Sequence, residues 1–407
     1  MILTYKYHLY PTADQQSVMN EILWAGCWLY NRALDYRRKR WYESRHTVTY
    51  YEQAAMWRDW RNEQADDGKS QSDLLKKNRR FFHNPLRLLN MTAGQQLLRR
   101  LDSAYRAFFK GQRGKPRFKR ADRFNSINFK PGDGANLKGR KLYLQNVGLV
   151  RVRWHRELPE EGKLKNIILL RKPSGWYVLL QVDVQLPPAT AKEQPDRLLH
   201  TDPKPEPHPG KTVGIDVGIH HALALSDGTI IDSPRHLEQS LKKLRVLQRT
   251  VARRKKGSRR WWQAVRQLQR QQEHIANQRR DWWHKVTTWL IENYGAIVLE
   301  DLNLNFMLRN GKLARAAHDV SIGIFRNLLD YKAVRAGVEV IAVDPKHTSQ
   351  VCHACGCIVE KKLSDRVHAC PHCGFTVDRD VNAALNILSR AGRARQALTW
   401  PVGASVA

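Results

Sequence analysis

Three acidic side chains in the second half of the chain stand at the ends of apolar runs or at the start of a helical pattern. Asp216 ends the run VGID, Glu300 ends the run AIVLE, and Asp380 lies at the start of the segment DRDVNAALNI. An ionised carboxylate at the end of a buried run is costly unless it is paired or bound to a metal ion. The pattern therefore predicts a carboxylate site for divalent cations.

Each acid taken alone also fits an ordinary structural role. Asp216 could form a turn, and Asp380 could be a helix N-cap. Asp378 competes with Asp380 for the third position, and we expect Asp378 to be the turn residue. The order of the acids favours catalysis, because the RNase H architecture takes acids from its first and fourth strands and from a later helix. Such acids hold two Mg²⁺ ions about 4 Å apart, whereas DDE transposases, which end in a helix Glu, fit less well.

Two CxxC pairs lie shortly before the third acid. Cys352 and Cys355 form the first pair, Cys370 and Cys373 form the second, and fourteen residues separate the pairs. Two such pairs, each closely followed by glycine, are typical of a closed tetrahedral zinc site with a structural role. Cys357 is spare, and it could replace Cys355 if the turn shifts. The pattern predicts one Zn²⁺ ion in a module that clamps a nucleic-acid strand.

The chain carries a large excess of positive charge. Its 407 residues include 70 Lys and Arg against 38 Asp and Glu, which gives a formal net charge of +32. Such an excess favours a polyanionic partner, since each phosphate contact adds affinity through counterion release. No apolar run reaches the roughly 18 to 20 residues of a membrane-spanning helix, and the first residues lack a signal-peptide core. We therefore expect a cytoplasmic, nucleic-acid-binding protein with no membrane partner.

Two segments concentrate the basic residues. Residues 110–130 interleave them with Phe118, Phe124 and Phe129, which predicts a backbone-binding strip with stacking rings. A helical hairpin over about 235–293, with its turn at KKGS, carries the second group. The predicted nucleic-acid contacts are Lys115, Arg117, Lys119, Arg120, Arg253, Arg254, Lys255, Lys256, Arg259, Arg260, Arg279 and Arg280.

Hydrophobic periodicity divides the chain into two parts. Residues 1–10 alternate as a strand, helical patterns follow up to about residue 110, and further alternating segments extend to residue 185. These strands predict a small β-barrel into which the helices are inserted, with Cys27 buried on the first helix. Strands alternating with helices from Lys211 onward predict an α/β domain. The predicted helices of the first part lie at 14–45, 49–64, 72–78 and 84–110.

Six motifs, taken in order and spacing, closely resemble the TnpB family, the RNA-guided nucleases encoded by bacterial and archaeal insertion sequences. They are VGIDVGIHHALALSDG, the RRKKGS turn, IANQRRDWWHKVTTWLI, IVLEDLNL, PKHTSQVCHACG and DRDVNAALNI. The N-terminal half matches more loosely, through the GKPRFK element. Carried over by residue, Asp216, Glu300 and Asp380 match the metal-binding acids of the family, and the four cysteines of the CxxC pairs match its zinc ligands.

The resemblance implies a multidomain α+β fold. In it, a wedge-like β-barrel with an inserted helical recognition domain precedes a RuvC/RNase H-like α/β nuclease domain with an inserted Cys₄ zinc module. The implied domains are the barrel at 1–11 and 111–190, the recognition domain at 12–110, a linker at 191–210, the nuclease domain at 211–345 and 377–392, the zinc-bearing target-nucleic-acid-binding module at 346–376, and a tail at 393–407.

The resemblance also implies an activity, which is RNA-guided cleavage of double-stranded DNA beside a short motif. Its implied partners are a guide RNA and the target DNA, with one or two protein copies on one RNA, in the nucleoid of a bacterium or archaeon. Two departures from the family pattern stand out: His220 replaces a common Lys, and Ile322-Gly-Ile324 replaces a more usual Trp-Gly-Glu.

Two other functions fit the same residues. One is a miniature type V CRISPR effector, whose guide comes from a CRISPR array instead of a transposon end. The other is an RNA-guided DNA-binding regulator that has lost cleavage, against which the intact set of three acids argues. The RNA that binds the protein would separate the first function from a transposon-guided nuclease, and a cleavage assay would identify the second.

Overall fold

The computed structural model describes residues 1–63, 84–184, 211–301, 319–362 and 365–398, with the backbone alone over 393–398. The chain divides into two compact units, Met1–Thr201 and Asp202–Ala407. The predicted helix at 72–78 lies outside the described residues. Within the described ranges, no helix is long and apolar enough to cross a membrane.

A closed seven-stranded barrel organises the first unit, as the alternating segments predict. Its strands pair in the order β1-β5-β4-β3-β2-β6-β7, and β7 returns to β1 with Ile2 opposite Asp183 and Leu9 opposite Trp176. Closure leaves no free sheet edge, and alternate residues fill the interior. The strands are β1 (Ile2–Tyr10), β2 (Ser126–Pro131), β3 (Gly134–Lys138), β4 (Lys141–Leu144), β5 (Gly148–Arg153), β6 (Lys163–Lys172) and β7 (Gly175–Asp183).

Three α-helices lie between β1 and β2 in the chain: α1 (Ala13–Ser44), α2 (Tyr50–Asn62) and α3 (Met91–Phe109). A 3₁₀ turn at Pro85–Leu88 precedes α3, so the predicted continuous helix at 84–110 is wrong in its first part. The break follows from side-chain capping, because Asn84 accepts a hydrogen bond from the Leu86 N–H and Asn90 caps α3. Two separate N-caps define two separate starts.

The helices and the barrel share one hydrophobic core. Gly26 of α1 packs so closely on the barrel that an added Cβ would lie 2.9 Å from Ile127 Cδ1. Cys27, beside it, is 3% exposed, which confirms the prediction of a buried small side chain. The first unit therefore places its helices directly against the barrel wall.

The prediction of three stacking rings in the basic strip is wrong for two of them. Phe124 and Phe129 are 4% and 3% exposed and belong to the core. Phe129 lies on β2, where strand alternation turns it and Ile127 inward. Phe118 is 48% exposed and has the Arg38 guanidinium 4.6 Å from its ring centroid.

A five-stranded mixed sheet, ordered β10-β9-β8-β11-β12, organises the second unit. Strands β8, β11 and β12 run parallel, while β9 and β10 continue antiparallel from the edge of β8. Parallel strands require crossover connections, which here contain helices. The strands are β8 (Thr212–Asp216), β9 (Leu223–Leu225), β10 (Ile230–Ile231), β11 (Ala296–Glu300) and β12 (Glu339–Val343).

Four helices and a hairpin complete the described part of the second unit. The helices are α4 (His236–Arg253), α5 (Arg259–Asn293), α6 (Ile322–Ala336) and α7 (Arg379–Leu398), and the hairpin pairs β13 (Val367–Ala369) with β14 (Thr376–Asp378). Helices α4 and α5 form the predicted helical hairpin, with Gly257 in the left-handed region (φ +85°) and Ser258 capping α5. Trp283 is fully buried against Phe325, at 4.7 Å between ring centroids, whereas Trp262 is 37% exposed.

Candidate active site

Sheet register brings the first two acids to neighbouring strand ends. Strand β11 pairs in parallel with β8 and sets Leu299 opposite Ile215. Asp216 and Glu300 are the next residues along the two strands. Because the carboxyl ends of parallel strands meet at one edge of a sheet, both carboxylates belong to the same edge.

The third acid comes from helix α7, which packs directly on β8. A Cβ added at Gly214 would lie 2.2 Å from the Ala384 carbonyl oxygen and 2.7 Å from the Leu388 nitrogen. Only glycine permits this approach of strand and helix backbones. Asp380 lies in the first turn of α7 and is 7% exposed. The strand–helix contact thus holds Asp380 in the neighbourhood of Asp216.

Asp378 and Asp380 have different surroundings. The Asp378 carboxylate accepts hydrogen bonds from the backbone N–H groups of Asp380 (2.8 Å) and Val381 (3.2 Å), so it caps the first turn of α7. The Asp380 carboxylate instead accepts two hydrogen bonds from the Arg379 guanidinium, at 3.0 and 3.1 Å to Oδ1. The Asp378 carboxylate therefore binds backbone N–H groups, whereas the Asp380 carboxylate binds a side chain.

The charges of Glu300 and Asp380 both act on Asp216. Burial raises the pKa of Asp216 well above its usual range, and the charges of Glu300 and Asp380 raise it further. Arg379 partly opposes this shift. Burial also raises the pKa of Glu300. The partly buried Asp216 and Glu300, together with the buried Asp380, form a cluster of negative charge to which a cation is attracted.

Thr348 is a site residue that sequence reasoning missed. Its side chain is 3% exposed and its hydroxyl donates a hydrogen bond to Glu300 Oε1, which lowers the pKa of that acid. Asn386 of α7 holds the loop in place by donating to the carbonyl oxygens of Thr348 (2.9 Å) and Val351 (2.7 Å). A threonine in the run PKHTSQ is a weak sequence signal for a site residue, because its partner Glu300 lies 48 residues away in the chain.

We predict that Thr348→Val moves the acidic limb of the pH–rate profile to higher pH. Burial raises the pKa of Glu300 and Thr348 lowers it, so removing the hydroxyl leaves the first effect less opposed. The carboxylate would then ionise only at higher pH. Cleavage rates measured between pH 5 and pH 9 test this, with Thr348→Ser as the control that retains the hydroxyl. An unchanged acidic limb in Thr348→Val would show that the contact does not tune Glu300.

Two adjacent histidines lie beside Asp380. In the sequence only His220 stands out, as a departure from the family pattern. One donor atom from each of His220, His221 and Asp380 lies within 4.8 Å of the other two. The His221 Nδ1 is 2.6 Å from Asp232 Oδ1. Burial lowers the pKa of His220, and the charges of His221 and Arg366 lower it further. Two histidines after a strand do not by themselves predict a metal site in the sequence. Their proximity to Asp380 depends on where α7 packs.

The four cysteines of the CxxC pairs meet as expected from their spacing. Their sulfur atoms all lie within 4.8 Å of one another, with Cys352 Sγ 3.7 Å from Cys373 Sγ and Cys355 Sγ 3.6 Å from Cys370 Sγ. Burial raises the pKa of Cys370, but hydrogen bonds from the backbone of His372 and Cys373 and from neighbouring thiols lower it to about 6. The position of the four sulfur atoms makes the cluster a candidate metal site with four cysteine ligands.

The cysteine module is fastened to the helix that carries the third acid. Asn382 of α7 accepts a hydrogen bond from the His353 N–H (3.1 Å) and donates one to the Val351 carbonyl oxygen (2.8 Å). Asn382 is fully buried, so these hydrogen bonds are protected from water. The first CxxC pair and the start of α7 therefore have a fixed relative position.

Eleven of the twelve basic residues predicted to contact nucleic acid are exposed in the structure. Arg279 differs, because its guanidinium is 2.9 Å from Asp319 Oδ1 and its side chain is 17% exposed. The same Asp319 carboxylate accepts hydrogen bonds from the Leu237 and Glu238 N–H groups at the start of α4. Arg279 thus has an intramolecular partner, and its role with nucleic acid stays a prediction. Arg120 also forms an ion pair, with Asp122 at 3.0 Å.

Three family models match the chain. The OrfB_IS605 model, described as "Probable transposase", matches residues 190–311, and the model "Cas12f1-like, TNB domain" matches residues 323–387. A "Helix-turn-helix domain" model of the OrfB_IS605 group matches residues 1–46. The first two matches span the part of the sequence that contains the three acids and the four cysteines.

Relatives extend the match to nearly the whole chain. A Streptomyces pristinaespiralis protein named "Putative RNA-guided DNA endonuclease" is 30% identical over 95% of this chain and 88% of its own length. The Escherichia coli K12 protein of the same name with the suffix InsQ is 30% identical over 95% of this chain and 91% of its own. A cryo-EM structure of a Cas12f1-sgRNA-target DNA complex contains a chain with the same fold, with a TM-score of 0.56, 13% identity, and coverage of 95% of this chain and 98% of that one.

These matches define the class, which comprises transposon-encoded nucleases and their CRISPR-associated relatives. Within that class, the chain belongs to the TnpB family, which carries the OrfB_IS605 model.

Proposed function

We propose that this chain is an RNA-guided endonuclease that cleaves double-stranded DNA beside a short motif, by two-metal-ion hydrolysis at Asp216, Glu300 and Asp380. The observation that carries the proposal is geometric: Asp216 and Glu300 end neighbouring parallel strands, and Asp380 begins the helix that packs on β8 at Gly214. The names of the full-length relatives supply the RNA guide and the DNA substrate.

The donor set of the three acids suits Mg²⁺. All of its ligand atoms are carboxylate oxygens, which Mg²⁺ prefers together with water and substrate phosphate. When bound, two such ions would activate a water molecule and stabilise the leaving oxygen of the phosphodiester. Two residues of the chain prepare the site. Thr348 orients Glu300, and Arg379 donates hydrogen bonds to Asp380 and offsets part of the repulsion at Asp216.

We predict that Asp216→Asn abolishes cleavage and raises the melting temperature of the metal-free protein. The pKa of Asp216 is raised in the folded state, so the wild-type protein loses stability as the pH rises from the ordinary pKa of an aspartate towards the raised folded-state value. Asparagine does not ionise, so its stabilising effect should be smaller at pH 5 than at pH 8. Calorimetry without divalent ions at pH 5 and pH 8, beside a DNA cleavage assay, measures both effects. Wild-type cleavage by Asp216→Asn would contradict the assigned mechanism.

The RNA that copurifies with the protein tests the guide. Sequencing it, building a guide against a chosen target and measuring cleavage of matched and mismatched duplexes separates guided cutting from non-specific cutting. Guided recognition requires cleavage to follow base pairing to the RNA. Equal cutting of matched and mismatched targets would contradict the guided function, while leaving the nuclease chemistry intact.

We propose that the four-cysteine cluster binds one structural Zn²⁺ ion. Tetrahedral coordination with Zn–S distances of about 2.3 Å places sulfur atoms roughly 3.8 Å apart, close to the observed 3.6 and 3.7 Å. All four positions would be filled by protein ligands, which leaves none for substrate. Cys357 would then be outside the coordination sphere.

We predict that removing zinc loosens the cysteine module and lowers cleavage, because structural zinc sites contribute their binding energy to folding. A chelator should release one Zn²⁺ per chain, as measured with a colorimetric zinc indicator. Cys370→Ser should lose the ion, and Cys357→Ser is the matched control that should keep it. Equal zinc content in the two variants would show that the assigned ligand set is wrong.

The nucleic-acid contacts and the domain boundaries remain part of the proposal. The exposed basic residues at 115–120, on the first unit, and at 253–260, in the turn between α4 and α5, supply positive charge for phosphate backbones. The barrel would act as the wedge, the helices as the recognition domain and the second unit as a RuvC-like nuclease with its zinc module. We propose action in the bacterial or archaeal nucleoid, with one or two copies on one RNA.

A second candidate is a miniature type V CRISPR effector. It is favoured by the Cas12f1-like model over residues 323–387 and by a Cas12f1 protein of Sulfoacidibacillus thermotolerans that is 27% identical over 44% of this chain. The two candidates differ in the source of the guide. Copurified RNA with repeat sequences would favour the CRISPR effector, and RNA from a transposon end would favour the first proposal.

A further inference from the structure

Two imidazoles lie beside Asp380. Together with its carboxylate they form a ligand set of nitrogen and oxygen donors, unlike the all-oxygen set of the three acids. His220, His221 and Asp380 each present a donor atom within 4.8 Å of the other two. His220 is exposed, His221 is partly buried, and Asp380 is buried. The cluster opens to solvent on its histidine side, so that an ion has access to it.

The orientation of His221 is fixed by a carboxylate. Its Nδ1 lies 2.6 Å from Asp232 Oδ1, and the backbone reinforces this contact, because the Ala222 N–H donates to the Ile231 carbonyl oxygen at 2.9 Å. A carboxylate accepts, so Nδ1 carries the hydrogen and Nε2 carries the lone pair. Carboxylate–histidine pairs of this kind orient metal-binding imidazoles in many proteins.

The turn that presents both histidines is also constrained. A Cβ at Gly218 would lie 2.9 Å from the His221 carbonyl oxygen, so the tight turn requires glycine there. The two imidazole rings meet edge to face, with their centroids 4.2 Å apart. The turn fixes the backbone from which both side chains extend. At Asp380, both hydrogen bonds from Arg379 go to Oδ1.

We propose that His220, His221 and Asp380 bind a first-row transition-metal dication, such as Mn²⁺, through two imidazole nitrogens and one carboxylate oxygen. Imidazole ligands suit first-row transition-metal ions, whereas Mg²⁺ prefers oxygen donors; Mn²⁺ is the weakest-binding ion of that row and also accepts carboxylate and water ligands. The proposal rests on the assigned metal-binding role of Asp380 and deepens it, because this acid would be shared with the carboxylate site. Two nitrogen donors beside the shared carboxylate would raise the affinity of the nuclease for Mn²⁺ relative to Mg²⁺.

The direct test is Mn²⁺ binding by the full-length, zinc-loaded protein without RNA or DNA. Pulsed electron paramagnetic resonance detects ¹⁴N nuclei coupled to bound Mn²⁺, and we expect two nitrogens in the wild type. His220→Asn and His221→Asn should each leave one nitrogen and weaken Mn²⁺ binding by about tenfold or more. Asparagine at 221 can still donate to Asp232, so the turn is preserved. His274→Asn, an exposed histidine on α5, is the matched control and should retain both nitrogens.

The outcomes separate this inference from the proposed nuclease function. Bound Mn²⁺ without nitrogen coupling in the wild type would overturn the histidine site while leaving the carboxylate site in place. Unchanged coupling in His221→Asn would also overturn it. In Asp216→Asn, retained nitrogen coupling together with lost cleavage would support both assignments, whereas retained cleavage would contradict only the proposed nuclease mechanism.

A second readout follows from the preference for Mn²⁺. We expect the ratio of cleavage rates in Mn²⁺ and Mg²⁺ to fall in His220→Asn and His221→Asn but not in His274→Asn. A structural effect of the substitutions would lower both rates together and leave the ratio unchanged. An unchanged ratio would therefore count against a metal-binding role for the two histidines.

Discussion

Asp380→Asn should lower the rate of DNA cleavage by at least about a thousandfold, whereas Asp378→Asn should change it only a few-fold. The two acids are two residues apart and the substitutions are chemically identical. Asp380 faces Asp216 and Arg379, and its charge raises the pKa of Asp216. Asp378 instead accepts hydrogen bonds from two backbone N–H groups of α7. An asparagine oxygen can accept the same bonds, since Asn and Asp are comparable N-caps.

The measurement is single-turnover cleavage with saturating guide and Mg²⁺, supported by melting temperatures and zinc content. Similar melting temperatures in the two variants would exclude unfolding as the cause of the difference. Asp378→Ala extends the comparison, because loss of the cap should cost about 1 kcal/mol without removing a catalytic charge. A greater loss of cleavage in Asp378→Asn than in Asp380→Asn would exchange the assigned roles of the two acids.

The sequence predicts those parts of the fold that repeat locally. Strand alternation in β1 and in β4 to β7 predicts a barrel, and the KKGS turn predicts the hairpin of α4 and α5. Strand β3 was missed because the segment Gly134–Lys138 lies between glycines and resembles a loop. It becomes a strand only by pairing with β2 and β4. Such pairing is a tertiary effect, to which local propensity contributes little.

The side-chain partners of the site depend on distant residues and therefore could not be predicted. Thr348 matters because Glu300 lies beside it, 48 residues away in the chain. Arg279 seemed an ordinary member of a basic helix, yet Asp319 pairs with it across 40 residues. The three acids were predictable for a different reason. Each terminates or begins an apolar element, and this position is visible in sequence before any contact is known.

Repulsion among the acids and close packing of α7 act in opposite directions. Asp216 is partly buried and is repelled by two other carboxylates, which favours separation of β8 from α7. The backbone contact at Gly214 and the Asn382 and Asn386 hydrogen bonds to the loop before the first CxxC pair hold the elements together. The packing and the hydrogen bonds thus hold the acids together against their repulsion, in a cluster that attracts divalent cations. Any change that moves α7 away from β8 should relieve the repulsion and weaken the site.

Gly214→Ala is the smallest such change, and it should both destabilise the second unit and suppress cleavage. Its Cβ would lie 2.2 Å from the Ala384 carbonyl oxygen, so the backbone of α7 must shift. Overpacking of this kind costs about 1 to 3 kcal/mol, and a displacement of about 1 Å at a reacting group can cost about a hundredfold in rate. Denaturant unfolding and cleavage measured well below the melting temperature separate the two effects.

Gly392→Ala is the matched control, because Gly392 lies on the same helix and a Cβ there would meet no atom within 4 Å. Alanine in a helix interior should stabilise the protein by about 0.5 to 1 kcal/mol and leave cleavage unchanged. Adding Leu388→Ala to Gly214→Ala should not restore activity, because the nearest atom to the new Cβ is the Ala384 carbonyl oxygen and not the Leu388 side chain. Restored cleavage in that double variant would show that the new methyl group is accommodated by space at the Leu388 side chain. The backbone contact between β8 and α7 would then not be what positions Asp380.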